Sequence, residues 1–263
     1  MRLIVLPLSR NRALLYCQTL HLPKVRSKPR LDEKLVAKAT QTWHSFEKSD
    51  TKWKQKIVQF ANFALERIPY TEWALKTVPP LNTFQRKLEG KDAHVKPTEI
   101  VQSGLSASDL EPIEVVYPST AMSLDQAKAQ LATLASRGLK THRTHMLYCL
   151  VGIPLTLPVA LIPVIPNIPG FYLTYRLWSN WMAWRGAKHL DLLLKDAHLQ
   201  GTTLRSLDYL YRDGSPDLLT DDQIDVIERI FTIPELTTEL HRAVRQIKSD
   251  QSKKSDESST NSS

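Results

Sequence analysis

His142 and His145 stand three apart in the stretch HRTH, close enough on a helix face to share a metal ion. Two imidazoles without a third ligand do not make a metal site. Cys17 and Cys149 lie far apart in apolar surroundings. Neither sits in the electropositive setting that activates a thiolate, and two such cysteines do not argue for a disulfide framework. Their use fits a reducing or neutral compartment. Asp221, Asp222 and Asp225 are accounted for by helix capping and a solvated face. The eight glycines are scattered and form no phosphate-binding loop, and no Gly-x-Ser-x-Gly elbow is present. No catalytic residue, cofactor or metal is therefore expected, and the chain does not read as an enzyme.

The chemistry lies instead in solvation. Met146 to Tyr175 is a run of thirty residues without a charge, and five of them are proline: Pro154, Pro158, Pro163, Pro166 and Pro169. A bilayer-spanning helix needs about 20 apolar residues, so the length permits a crossing. The prolines forbid a straight one, because each removes a donor and clashes with the preceding turn. Two geometries fit. Either residues 146–165 cross once and PNIPG forms an interfacial turn, or two short helices break near PVIPNIPG and return to the same side. The run is thus expected to be one proline-broken membrane segment, with a buried soluble hairpin as the competing reading. Within it, Asn167 between Pro166 and Ile168, next to Pro169, reads first as a turn residue and second as a polar group lining an ion path. Arg176 ends the run; anchoring at the phosphate level is expected, and pairing with a buried carboxylate is the alternative. Trp178, with Trp181, Trp184, Tyr172 and Tyr175, makes an aromatic belt on this flank. No Asp or Glu lies inside the run, which argues against the chain being a complete proton-coupled carrier.

These residues need elements to place them. Leu3–Leu8 and Ala13–Cys17 are short apolar runs separated by SRNR, and they predict a β-hairpin over residues 1–18. IEVVY at 113–117 predicts a strand that pairs with it, ending at Pro118. Helices are predicted over 32–46 and 51–68, the second capped at Ser49-Asp50, with stops at Pro69, Pro79 and Pro80. Residues 88–112 read as a loop. Another helix is predicted over 124–139 with a glycine stop at Gly138, and another over 177–194. Thr220 and Gln223 form a capping-box pattern ahead of DQIDVIERIF, and Pro234 opens ELTTELHRAVRQI. From Lys248 the serine-rich tail is expected to be disordered. The predicted fold is mainly α with a small β element, the N-terminal hairpin plus the strand near 113–117, and the membrane segment. The predicted organisation is an α+β region over 1–145, the membrane segment over 146–175, a helical region over 176–247 and a tail over 248–263.

The 263 residues carry a net charge of +8, which suits an anionic membrane surface or nucleic acid. No base-reading motif is present, so nucleic acid is not an expected partner. Residues 1–31 hold seven cationic residues and no acid before Asp32, the composition of a mitochondrial import signal. Import and retention of the hairpin are compatible.

Several stretches together carry a resemblance. They are MRLIVLPLSRNRALLYC at 1–17, YTEWALKTVPP at 70–80, EVVYPS at 114–119, IPNIPGFYLTYRLWSNWMAWRGAKHLDLLL at 165–194 and LTTELHRAVRQI at 236–247. The chain resembles the mitochondrial K⁺–H⁺ exchange-related proteins. The pattern of Pro166, Asn167, Pro169, Tyr172, Arg176, Trp178 and Ser179 is its most specific part. The resemblance implies a mitochondrial inner-membrane protein in potassium–proton exchange, as an accessory subunit or regulator of cation homeostasis. The alternative is a membrane-anchored scaffold of an inner-membrane complex with no direct ion role. Expected partners are inner-membrane proteins or further copies of the chain, and membrane lipid. The resemblance carries no catalytic residues.

Overall fold

The computed structural model describes residues 1–18, 41, 44, 48–49, 51–79, 113–160, 168–196 and 199–260. The helix expected over 32–46, most of which falls elsewhere, the loop expected over 88–112, and Pro166 and Asn167 lie outside the described residues. The chain divides into two compact units, Met1–Leu20 with Tyr70–Ser263 and, separately, His21–Pro69. In the smaller unit α1 spans Lys52–Glu66. Just ahead of it the Thr51 amide donates to Ser49 Oγ at 3.4 Å.

The larger unit is built on a four-stranded sheet in the order β2-β1-β3-β4. Its strands are β1 (Arg2–Ser9), β2 (Arg12–Gln18), β3 (Ile113–Val116) and β4 (Leu199–Thr202). β1 and β2 form the antiparallel hairpin, while β1 with β3 and β3 with β4 pair in parallel. Leu3 to Leu8 are buried without a break because β1 lies inside the sheet with both faces covered. Pro7 is tolerated there because it sits at the register shift between Pro7 and Ser9. β4 was not expected from the sequence. LQGT has one apolar residue and no alternation; its parallel ladder with β3 makes it a strand.

The helices of this unit are α2 (Tyr70–Thr77), α3 (Leu124–Leu155), α4 (Leu157–Ala160), α5 (Ile168–Asp196), α6 (Arg205–Leu210), α7 (Asp221–Phe231) and α8 (Pro234–Thr260). Reciprocal capping boxes start α3 at Ser123 and Gln126 and α7 at Thr220 and Gln223. α8 runs on past Lys248 to Thr260, where composition alone predicts no order. α3 runs straight through Gly138, which is therefore not a helix stop. A Cβ at Gly138 would lie 2.5 Å from Leu75 Cδ1 and 3.2 Å from Ala187 Cβ, so the glycine is a close-packing position.

α3 and α5 are the two arms of an antiparallel hairpin. Gly138 faces Ala187, His142 faces Asn180, and Gly152 faces Leu173, so residue numbers rise on one arm as they fall on the other. This arrangement corrects the expected membrane segment. Among the described residues no helix is long and apolar enough to cross a membrane. The uncharged run is cut into pieces. α3 contributes only Met146–Leu155 and turns at Thr156, whose amide donates to Ile153 O. α5 begins at Ile168. Ten helical residues rise about 15 Å, half of the roughly 30 Å hydrocarbon core. Pro154 and Pro158 enforce the interruption. The apolar residues at this end remain uncovered: Tyr148 is 70% exposed, Leu155 76% and Phe171 71%.

Candidate functional site

A buried cluster of charges sits where the apolar run gives way to the body of the hairpin. It forms because α2 lies tightly against α5. A Cβ at Gly186 of α5 would come within 1.9 Å of the Leu75 carbonyl oxygen, so only glycine lets the two backbones meet this closely. Thr77 at the end of α2 ties the same helix to the sheet, its Oγ1 accepting from the Cys17 amide at 2.9 Å.

That contact drives Glu72 into the interior, where it is 1% exposed. A buried carboxylate needs compensation. Arg176 supplies it with two parallel bonds, Nη1 to Oε1 at 2.8 Å and Nη2 to Oε2 at 3.0 Å. Ser179 Oγ donates a third bond to Oε1 at 2.6 Å. Planar guanidinium and planar carboxylate match in this fork, which fixes α2 in register on α5. Arg176 therefore does not anchor at a lipid phosphate level, the first expectation, but pairs with a buried carboxylate, the alternative. Its side chain is 14% exposed and turned inward, because the Glu72 carboxylate is its partner.

Lys76, one turn along α2, donates to Ser179 Oγ at 3.1 Å and lies 3.5 Å from the centre of the Trp73 ring. Burial pushes its ammonium down from the ordinary 10.5 to about 8, against a smaller upward pull from Glu72. From α8, Arg242 grips Glu239 at 2.7 and 2.9 Å and stands 4.7 Å from the Trp73 ring centre. Burial raises the Glu239 carboxyl while Arg242 holds it down.

The cluster extends to α3 through Asn180. Its Nδ2 donates to the Arg176 carbonyl at 2.7 Å, which turns Oδ1 towards His142 Nδ1 at 2.8 Å. With an amide oxygen as the acceptor, Nδ1 carries the ring proton. Burial lowers the His142 pKa, with the Asn180 bond opposing. His142 is thus a cross-tie between the hairpin arms. Among the described residues no group of three or more His, Cys, Asp or Glu stands ready to hold a metal.

Beyond the cluster the outer face of α5 carries Trp178, 44% exposed, and Trp181, 42% exposed. The Arg185 guanidinium lies 4.6 Å over the Trp181 ring and the Lys188 ammonium 5.6 Å over that of Trp184. Pro169 is exposed in the first turn of α5. Of the residues singled out in the sequence, Arg176, Ser179 and His142 enter the buried cluster. Glu72, Lys76, Asn180, Glu239 and Arg242 carry the rest of it. The only sequence cue was that YTEWALK and YRLWSN both place charged or hydroxyl groups between large apolar residues.

The pattern defined by the mitochondrial K⁺–H⁺ exchange-related family matches residues 2–194, a span that holds Glu72, Lys76, Arg176 and Ser179. The chain belongs to that family. It is similar to an uncharacterized protein of Saccharomyces cerevisiae, 29% identical over 240 residues, covering 83% of this chain and 75% of that one. It is also similar to an uncharacterized protein of Schizosaccharomyces pombe, 27% identical over 247 residues, covering 94% and 96%. No solved structure matches.

Proposed function

We propose that the chain is an accessory or regulatory component of potassium–proton exchange at the mitochondrial inner membrane. Membership of a family named for that exchange, over residues 2–194, is the observation that carries this reading. Two features of the fold support the accessory role. The run from Met146 to Tyr175 contains no Asp, Glu, His, Lys or Arg to pass a cation or proton along. The buried carboxylates at its edge are each held by an arginine, Glu72 by Arg176 and Glu239 by Arg242.

Attachment to the membrane is through the apolar end of the α3–α5 hairpin. Exposed Leu147, Leu150, Val151 and Leu155 form an apolar end. Lys140, Arg143, Arg185 and Lys188 flank the run on both arms. Apolar groups backed by cations and tryptophans suit the headgroup region of an anionic bilayer.

Two measurements check this reading. Fractionation of mitochondria is expected to recover the chain with inner-membrane vesicles. Purified chain added to potassium-loaded liposomes is expected to leave the internal pH unchanged under an imposed potassium gradient. Recovery in the outer membrane would overturn the placement, and exchange by the chain alone would overturn the accessory role.

A further inference from the structure

The cluster between α2, α5 and α8 holds three cations and two carboxylates. Arg176 is matched to Glu72 and Arg242 to Glu239, each through two bonds. Lys76 is the odd cation. Among the described residues it has no carboxylate of its own; its ammonium meets a neutral hydroxyl, Ser179 Oγ, and the face of Trp73. With Lys76 neutral the cluster is balanced. With Lys76 protonated it carries one positive charge that no carboxylate matches, offset only by the Trp73 ring face, in a largely buried place.

We propose that Lys76 is a proton-binding latch: its neutral form holds α2 packed on α5, and proton uptake loosens that packing. Every charged or titratable neighbour acts on this residue in a defined way. Glu72 on its own helix and Glu239 on α8 favour the proton, while Arg176 on α5 and Arg242 on α8 oppose it. Tyr175 on α5 shares the same hydroxyl, through its side-chain hydrogen bond to Ser179. Desolvation outweighs them all and disfavours the charged form.

The sign follows from linkage. In the packed state Lys76 releases its proton near pH 8; once loosened and hydrated it returns towards its ordinary 10.5. Between these values the loosened state binds more protons, so packing strengthens as pH rises from 8 to 10.5 and weakens as pH falls through that window. Below about pH 8 both states are protonated and the effect saturates. The latch goes beyond the role proposed above and does not rest on it, since it is read on the purified chain.

The test is pulse-labelled hydrogen exchange of the Tyr70–Thr77 amides in the detergent-solubilised full chain, corrected for intrinsic rates. Protection of this helix is expected to rise on the order of tenfold from pH 7.5 to 9.5. Lys76→Met is expected to abolish the rise. Lys76→Arg, which keeps its charge throughout, is expected to abolish it too and to hold protection low at pH 9.5. Should Lys76→Met fail to fold, the Lys76→Arg profile alone decides. A flat wild-type profile, or an undiminished rise in either variant, overturns the proposal.

Discussion

Replacing Arg176 with leucine costs the chain about 3–5 kcal/mol of stability, because it leaves the Glu72 carboxylate buried and uncompensated. Glu72 is 1% exposed and draws two of its three hydrogen bonds from that guanidinium. Water cannot enter to replace them without separating α2 from α5. Glu72→Leu is expected to cost a similar amount, since it strands Arg176, whose side chain is only 14% exposed. The double change, Glu72→Leu with Arg176→Leu, removes both charges and is expected to recover a large part of the loss. Buried pairs replaced together by apolar side chains of similar volume are often near neutral. Urea melts of the four proteins close the cycle. Two single variants each within about 1 kcal/mol of the parent would show that the pair is not the tie described.

The second large effect is steric. Gly186→Ala places a methyl 1.9 Å from the Leu75 carbonyl oxygen, a backbone atom that cannot rotate away. α2 must lift off α5, and the Glu72–Arg176 fork and the Lys76–Ser179 bond stretch with it. A loss of about 3 kcal/mol, the upper end for overpacking, is expected. Gly138→Ala is the matched control. Its new methyl also meets Leu75, at 2.5 Å, but through the tip of the side chain, which can turn aside. It is expected to cost about 1 kcal/mol, at the low end of overpacking. Equal losses at the two positions, read from urea midpoints, would contradict the close approach of the α2 and α5 backbones.

Both effects depend on contacts that local sequence does not encode. The hairpin over residues 1–18 and the strand at 113–116 are legible because apolar runs between turn residues leave few other ways to bury them. The cap at Thr220 is legible because hydroxyl and amide stand three residues apart. Glu72 and Arg176 are separated by 104 positions. In the sequence, one is an acid on a short amphipathic helix and the other a cation at the rim of an apolar run. Rim cations ordinarily face water or phosphate, so anchoring was the natural reading. What turns Arg176 inward is Gly186, ten residues along α5, which brings α2 close enough to offer its carboxylate. Gly138 misled in the opposite way. A glycine near the end of an amphipathic pattern looks like a stop, yet here it is a contact point that α3 needs in order to pass Leu75. The uncharged run was expected to hold together as one proline-broken segment, but α3 takes it only to Leu155 and α5 takes it up again at Ile168, so no described piece reaches spanning length. β4 had no signal of its own, as two of its four residues are glutamine and glycine.

Potassium-acetate swelling of de-energised mitochondria tests most directly whether the chain serves potassium–proton exchange. Mitochondria lacking the chain are expected to swell much more slowly than those containing it, and re-expression is expected to restore the rate. Swelling at the same rate with and without the chain would contradict the account.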